Sequence, residues 1–236
     1  GLYEKSTNYP HLTGDAIAIA LQHNIRLKNI NYIQIHPTAL YTEQPGRAFL
    51  ISESVRGEGA VLLDKEGNRF TDELQARDIV AKKIYEQMDK DKTNHVWLYL
   101  NGHVKGDIAK RFPSIYERCL QEGYDITKDR IPVVPAQHYF MGGIEAETQS
   151  KTSMNNLYAV GETSCNGVHG KNRLASNSLL ESLVFSKRAA LDINKNWKEE
   201  KPPFFPLPKE EDYQEIDKYN RKLIMDEIRK EDESAE

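Results

Sequence analysis

Residues 160–181 read VGETSCNGVHGKNRLASNSLLE and carry the strongest single signal in this chain. The residues that lead into this stretch, Leu157 to Val160, are predicted to end a buried strand. Glycines in the following loop let the backbone approach a ligand closely. Ser178 and Glu181 fit a capping box, which predicts that a helix begins there. Apolar residues then recur at helical spacing, namely Leu179, Leu180, Leu183, Val184, Ala190 and Leu191.

The beginning of this predicted helix has the properties of a ligand site. Free N–H groups and the helix dipole favour negative charge at a helix N-terminus, and Arg173 adds a full positive charge just before it. The stretch therefore predicts a site for an electron-rich ligand. An ordinary strand–loop–helix packed in a core fits the same spacing, so the rest of the chain has to decide between the two interpretations.

Composition limits the class of protein. The chain has 236 residues, of which 39% are hydrophobic, and this length suits one or two domains. The sequence contains no membrane-length apolar run and no signal peptide, and Cys119 and Cys165 form no CxxC pair, so we expect a cytoplasmic protein. The net charge is −4 and acidic residues gather in 209–236, without the basic stripe that a nucleic-acid partner would require.

Periodicity and turn residues predict alternating helices and strands. The first half is expected to contain a helix from Asp15, a strand around Ile33 and Ile35 that stops at Pro37, a helix-like or extended segment over 47–64 and a turn at 66–68. A helix from Arg77, a strand at 95–100 and a helical stretch broken at Pro113 are expected to follow. Extended segments are then expected at 131–139 and 141–147. A proline-rich linker is predicted at 201–208. The helix beyond it has an apolar stripe with no visible partner, formed by Tyr213, Ile216, Leu223, Ile224 and Ile228.

Reactive side chains concentrate in a few short clusters. The first cluster is His36 beside Pro37, at the end of a strand, and the second is residues 52–59, which combine hydroxyls, carboxylates and Arg56. The third is Arg77, which precedes Asp78 at the start of a helix. His138 and Arg173 lie in separate loops. Arginine guanidinium groups and histidine rings donate hydrogen bonds to carboxylate oxygens. A small dianion would therefore bind if these groups converged. Taken singly, each arginine fits a surface ion pair equally well, and each histidine fits a structural donor.

Other chemistries lack their sequence patterns. The seven histidines show no HxH, HxxxH or HExxH spacing, so no metal site is expected. A GxSxG motif is absent, and Cys165 lies in no thiol-nucleophile signature.

Seven motifs in order resemble the flavoprotein family of fumarate reductases, succinate dehydrogenases and L-aspartate oxidases. They are GLYEKSTNYPHLTGDAIAIA, IQIHPTAL, FLISESVRGEGAVLLDKEGNRF, ARDIVAKKI, PAQHYFMGGI, LYAVGE and GVHGKNRLASNSLLE. The resemblance runs from about Gly1 to Asn194. HPTAL, ISESVRGEGA and HGKNRLASNSLLE are most similar to the L-aspartate oxidase branch, whereas MGGI suits succinate dehydrogenases equally well.

The resemblance implies an α/β plus α+β fold, in which a partial FAD-binding domain is interrupted by a capping domain. The expected boundaries are 1–33 and 138–195 for the FAD-binding domain, 34–137 for the capping domain, and 196–236 for a linker and the start of a C-terminal helical domain. The capping domain would close over substrate on hinges near His36 and His138. The family's GxGxxG unit is expected to precede Gly1, which makes the chain part of a longer enzyme.

By the same resemblance, six residues line the substrate site: His36, Ser52, Glu53, Arg77, His138 and Arg173. The catalytic residues would be Arg77, Glu53 and Arg173, with Arg77 as the proton-transfer group. Since arginine is a poor base at its ordinary pKa, that role requires a neighbouring charge or a proton relay, which Glu53 would supply. FAD would contact Glu162, Asn177, Ser178 and Leu179. Ser52 and Ala76 depart mildly from the family, where threonine and proline are usual.

The implied reaction is FAD-dependent oxidation of L-aspartate to iminoaspartate, which serves NAD synthesis through quinolinate. This chain alone is expected to bind FAD weakly and to be inactive. Expected partners are a small dicarboxylate (aspartate, fumarate or succinate), the missing N-terminal FAD-binding segment and quinolinate synthase. Two alternatives stay open, namely a fumarate reductase or succinate dehydrogenase flavoprotein and a non-catalytic dicarboxylate-binding module.

Overall fold

A computed structural model describes residues 2–199, 209 and 215–233. The chain divides into two compact units. The first unit comprises Tyr3–Pro10 and Gln34–His138, and the second comprises Leu2, His11–Ile33 and the described residues from Tyr139 onward. The domain roles assigned to these segments stay predictions, and the predicted linker at 201–208 lies outside the described residues.

The first unit is built on a four-stranded sheet in the order β2-β5-β4-β3. The pairs β5–β4 and β4–β3 are antiparallel. The strands are β2 (Ile33–Leu40), β3 (Val61–Leu63), β4 (Val96–Tyr99) and β5 (Ile131–Phe140). Its helices are α2 (Glu53–Gly57), α3 (Arg77–Asp91), α4 (Ile108–Arg111) and α5 (Pro113–Gln121).

The helices of this unit follow from the sequence pattern. Val80 and Ile84 of α3 are buried in the core and Met88 packs against it, as their spacing predicts. Pro113 is the first residue of α5, where its missing N–H costs nothing, and this confirms the predicted break.

The prediction that the strand around Ile33 and Ile35 stops at Pro37 is wrong, because this strand, β2, continues to Leu40. In the sheet order β2 lies at an edge, and a proline on an edge strand need not remove a hydrogen bond from the sheet.

The second unit contains a three-stranded sheet in the order β1-β6-β7, where β6 is antiparallel to β1 and parallel to β7. The strands are β1 (Leu27–Lys28), β6 (Gly143–Glu145) and β7 (Ser164–Cys165). The helices are α1 (Asp15–Gln22), α6 (Asn177–Asn196) and α7 (Ile216–Glu233).

The last helix has a partner, contrary to the sequence interpretation. Ile224 and Ile228 of α7 are buried in the same core as Ile17 of α1. The Gln22 amide also donates to the Asn220 side-chain oxygen at 3.2 Å. The apolar stripe of α7 therefore packs within the second unit.

Gly142 and Gly143, in the MGGI motif, let β6 pass close to two other backbone segments. A β-carbon on Gly142 would overlap the carbonyl oxygen of Asn29, and one on Gly143 would overlap that of Thr163. Gly143 also has a φ of 140°, which disfavours any side chain. This motif therefore has a packing reason independent of any ligand.

Candidate functional site

Two polar residues of β2 point into the first unit. Gln34 and His36 are buried, whereas Ile33 and Ile35, which alternate with them, are only partly buried. This burial places the polar side chains on the inner face of the strand. Burying polar groups costs free energy unless they are paired. A strand whose polar side chains face inward and whose isoleucines are less buried therefore indicates a functional face.

His36 is a neutral hydrogen-bond donor in this environment. Its Nδ1 accepts the backbone N–H of Thr38 at 3.2 Å, so the ring proton resides on Nε2. Burial holds the pKa of His36 well below its ordinary value, and the positive charge of Arg77 lowers it further. Nε2 is buried without a hydrogen-bond partner among the described residues. An oxygen ligand would satisfy it.

Arg77 is held rigidly at the first turn of α3. Its Nε and a terminal nitrogen donate to Glu53 Oε2 at 3.1 and 2.6 Å, and its other terminal nitrogen donates to Gln34 Oε1 at 2.8 Å. The side chain is 8% exposed. The sequence interpretation missed Gln34, whose only signal was its position two residues before His36 on the same strand face.

Glu53 lies between two arginines. Its Oε1 is 3.6 Å from a terminal nitrogen of Arg56, while its Oε2 binds Arg77. Arg56 is almost fully buried, and burial lowers its pKa although the negative charge of Glu53 opposes that shift. Another terminal nitrogen of Arg56 donates to the carbonyl of Glu73. The sequence placed Arg56 in a reactive cluster but gave it no role in the site.

Ser52 has a structural function at the start of α2. Its Oγ accepts the N–H of Ser54 at 3.3 Å and lies 2.8 Å from the Ser54 hydroxyl. This is a helix-capping arrangement. Substrate binding by Ser52 stays a prediction.

His138 stands beside His36 at the end of β5. The ring centroids are 5.4 Å apart and the ring planes meet at 67°. His138 Nδ1 is 2.8 Å from the hydroxyl oxygen of Thr7. The first unit therefore brings together His36, Glu53, Arg77 and His138, four of the residues that the sequence assigned to the site.

In the second unit, the predicted strand at Leu157–Val160 is wrong. The segment forms one isolated bridge, between Lys151 and Tyr158. The N–H of Ala159 donates to the carbonyl of Ser150 at 3.0 Å, so this segment pairs with the loop just before it. Gly161, with a φ of 71°, then turns the chain into a short 3₁₀ helix, Gly161–Thr163.

The predicted capping box at the start of α6 is also wrong. Ser176 is the residue before the helix, and its side chain makes no capping bond. Ser178 lies inside the first turn, and Glu181 accepts instead from the Asn166 amide at 2.5 Å and the Tyr139 hydroxyl at 3.4 Å. The Ser176 side chain therefore does not cap the first N–H groups of α6.

Arg173 is 5% exposed and belongs to the second unit. Its guanidinium carbon lies 4.4 Å from the ring centroid of Tyr139, in a cation–π contact. One terminal nitrogen donates weakly to the carbonyl of Leu174 and to Ser178 Oγ, each at 3.4 Å. The structure thus fixes Arg173 next to the beginning of α6, and substrate binding by Arg173 stays a prediction.

The residues predicted to contact FAD surround the same helix end. Glu162 lies in the 3₁₀ helix, which packs against α6, and accepts the N–H of Phe140 at 3.0 Å. Burial raises the pKa of Glu162. Asn177, Ser178 and Leu179 are the first three residues of α6, and Leu179 is 74% exposed. Uncapped N–H groups beside an exposed apolar side chain fit an electron-rich planar ring.

Within the described part of the chain, no helix combines the length and the apolar character needed to cross a bilayer. The same residues contain no group of three or more histidine, cysteine, aspartate or glutamate side chains that could hold a metal ion.

Comparison with known proteins finds a family model and curated relatives that match this chain. The FAD binding domain family model matches residues 1–179. L-aspartate oxidase of Clostridium perfringens (strain 13 / Type A) is 55% identical over 232 residues, which cover 97% of this chain and 52% of that protein. L-aspartate oxidase of Clostridium acetobutylicum is 59% identical over 195 residues, covering 82% and 45%. The chain therefore spans about half the length of these curated relatives.

Solved structures also match this chain, at lower sequence identity. A quinol-fumarate reductase with menaquinol molecules has a TM-score of 0.74 and 34% identity, covering 82% of this chain and 37% of that one. Mycobacterium smegmatis Sdh1 in complex with UQ1 has a TM-score of 0.69 and 36% identity, covering 84% and 35%.

Proposed function

The chain belongs to the FAD binding domain family, with FAD as its cofactor, and from that premise we propose that the complete gene product oxidises L-aspartate to iminoaspartate. The family resemblance and the mixed α/β fold predicted from the sequence are both confirmed. Support for aspartate as substrate comes from the L-aspartate oxidases that share 55% and 59% of their aligned residues with this chain. NAD synthesis through quinolinate is the corresponding proposed pathway.

One observation carries the proposal, namely the buried Arg77 fixed by Glu53 and Gln34 beside a neutral His36. A dicarboxylate needs donors and positive charge, held where water does not compete. His36 supplies an N–H donor at Nε2, and Arg77 supplies the charge. Because both side chains are already fixed, binding costs little conformational entropy.

When bound, the cofactor would supply the acceptor for the two electrons that leave the substrate. Glu162, Asn177, Ser178 and Leu179 are the residues proposed to hold it, and the N–H groups at the start of α6 would favour negative charge there. His138 and Arg173 are proposed to bind substrate carboxylates, and Ser52 to contact the substrate through its hydroxyl.

Arg77 is proposed to hold and move the proton lost during oxidation. Its guanidinium contacts Glu53 Oε2, and Glu53 Oε1 faces Arg56. A carboxylate between two guanidinium groups can pass a proton between them, which answers the objection that an isolated arginine is a poor base. Burial lowers the pKa of Arg56 and so eases proton loss from Arg56, at the far end of the Arg77–Glu53–Arg56 series.

The test compares electron donors in the purified complete gene product supplied with FAD. Aspartate should reduce the flavin absorbance in the visible spectrum, and succinate should not. Arg77→Lys should lower kcat/KM for aspartate by about 100-fold or more, because lysine cannot reproduce the fork to Glu53 and Gln34. Arg111→Lys changes an exposed Arg–Glu pair in the same unit and is the matched control.

Other outcomes would select other functions. Oxidation of succinate alone would identify a succinate dehydrogenase or fumarate reductase flavoprotein, which the solved neighbours favour. Dicarboxylate binding by calorimetry without any flavin reduction would identify a non-catalytic binding module. Full activity in the Arg77→Lys variant would remove Arg77 from the mechanism. Association with quinolinate synthase, closure of residues 34–137 over substrate and inactivity of this chain alone stay proposals.

A further inference from the structure

The segment Tyr3–Pro10 attaches to the end of β5, where His138 lies. Ser6 forms a parallel bridge with Gln137. The N–H of Thr7 donates to the carbonyl of Gln137, and the N–H of Gln137 donates to the carbonyl of Lys5, each at 2.9 Å. This segment therefore extends the sheet locally and fixes the backbone immediately before His138.

Thr7 is itself fixed on both sides. Its side chain and backbone are buried. Its carbonyl accepts Nε–H of Arg47 at 2.6 Å, and the Arg47 guanidinium stacks over the ring of Tyr9 at 4.6 Å from the centroid. The hydroxyl of Thr7 thus has little freedom to move away from the His138 ring.

The hydroxyl of Thr7 has one proton and two candidate acceptors. His138 Nδ1 is 2.8 Å away and the carbonyl of Gln137 is 3.3 Å away. That carbonyl already accepts the N–H of Thr7, and the shorter contact is the stronger one. When the hydroxyl donates to Nδ1, a neutral His138 ring carries its proton on Nε2.

We propose that the Thr7 hydroxyl donates to Nδ1, and that Thr7 is thereby a positioning residue that fixes the orientation and tautomer of His138. The inference rests on the proposed function, in which His138 binds a substrate carboxylate. The arrangement repeats that of His36, whose Nδ1 is held by the backbone N–H of Thr38. Both imidazoles in this edge-to-face pair then present an Nε2–H donor, which suits a carboxylate oxygen.

Two substitutions separate the hydroxyl from the shape of the side chain. Thr7→Val keeps the branched shape and removes the hydroxyl, whereas Thr7→Ser keeps the hydroxyl. In the complete gene product we expect Thr7→Val to raise KM for aspartate by about 10-fold or more with a smaller change in kcat. Thr7→Ser should stay within about threefold of the unmodified protein, because its hydroxyl still reaches Nδ1. Thr93→Val removes a hydroxyl that donates to the carbonyl of His95 and is the matched control.

A nuclear magnetic resonance measurement tests the hydrogen bond without relying on activity. Two-bond ¹H–¹⁵N spectra report which imidazole nitrogen carries the proton. We expect the Nε2–H form for His138 in the unmodified protein and in Thr7→Ser, and a mixture of tautomers in Thr7→Val. If Thr7→Val does not fold, Thr7→Ala gives the same comparison with a smaller side chain.

The outcomes distinguish this inference from the proposed function. An unchanged His138 tautomer in Thr7→Val or Thr7→Ala would overturn the role of Thr7, whatever the activity. Unchanged KM in a folded Thr7→Val variant would do the same. If the unmodified protein oxidises no aspartate but the tautomer depends on Thr7, the proposed function fails and the positioning contact stands.

Discussion

The first unit fixes its functional side chains by internal hydrogen bonds, whereas the second unit, in its described residues, has apolar side chains exposed on one helix. In the first, Glu53, Gln34 and Thr38 hold the donors of Arg77 and the ring of His36. In the second, the leucines at the start of α6 are exposed, with Leu179 at 74% and Leu183 at 72%. Polar side chains can therefore be fixed within one compact unit while the helix expected to contact FAD exposes several leucines.

The largest expected effect comes from a matched pair of leucine truncations. Leu98→Ala removes a side chain that is fully buried in the first unit, so we expect the free energy of unfolding to fall by about 3 kcal/mol. Leu183→Ala on α6 should change it by about 0.5 kcal/mol or less. Urea denaturation measures both. Equal losses would mean that the α6 face is buried in solution, which would break the comparison.

The next effect tests the charge that holds the first unit's site together. Glu53→Gln leaves two buried guanidinium groups without their carboxylate, and we expect a loss of about 2 kcal/mol, less than for a fully buried pair because Glu53 is partly exposed. Glu86→Gln breaks an exposed pair with Lys83 and should be nearly neutral. Thermal unfolding compares the two variants. Similar melting temperatures would show that the ion pairs of Glu53 with Arg77 and Arg56 contribute nothing to stability.

A smaller effect concerns the buried carboxylate of the second unit. Glu181→Gln removes the charge that accepts from Asn166 and Tyr139, and we expect it to cost about 1.5 kcal/mol. Glu147→Gln, at an exposed position in the same unit, is the control. A neutral result for Glu181→Gln would leave the first unit as the one with an energetically important polar network.

The effect that is smallest at neutral pH is a pH dependence that originates at His36. Because burial holds its folded-state pKa well below the ordinary value near 6.5, the unfolded state binds a proton that the folded state does not. Stability should therefore fall as pH drops below about 6.5, by up to about 1.4 kcal/mol per pH unit until the folded-state pKa is reached. His36→Gln should flatten that slope in urea titrations at several pH values. His95 and His169, whose pKa values burial also lowers, retain part of it.

The sequence predicted most elements and a good part of the site, for identifiable reasons. Helix α3 followed from the spacing of Val80, Ile84 and Met88, since one face of a helix has to be apolar. The clustering of His36, Glu53, Arg77 and His138 depended on the family resemblance, because residues 102 positions apart cannot be paired from periodicity.

The errors came from local patterns that tertiary contacts override. The box Ser178–Glu181 is correct in spacing, but Glu181 binds Asn166 and Tyr139 instead. Gln34 was missed because an inward-facing polar residue looks like an ordinary solvent-facing one in a strand with alternating polarity. Each of these positions depends on partners that are remote in the sequence.

Gly142 and Gly143 impose a genetic constraint on this protein. Since every amino acid other than glycine carries a β-carbon, any missense mutation at either codon puts an atom into the space occupied by the carbonyl of Asn29 or Thr163. Neither position offers a conservative replacement, and a mutational scan should return almost only synonymous codons at both. Such positions lose tolerance for backbone reasons alone, so their invariance in a scan would say nothing about catalysis.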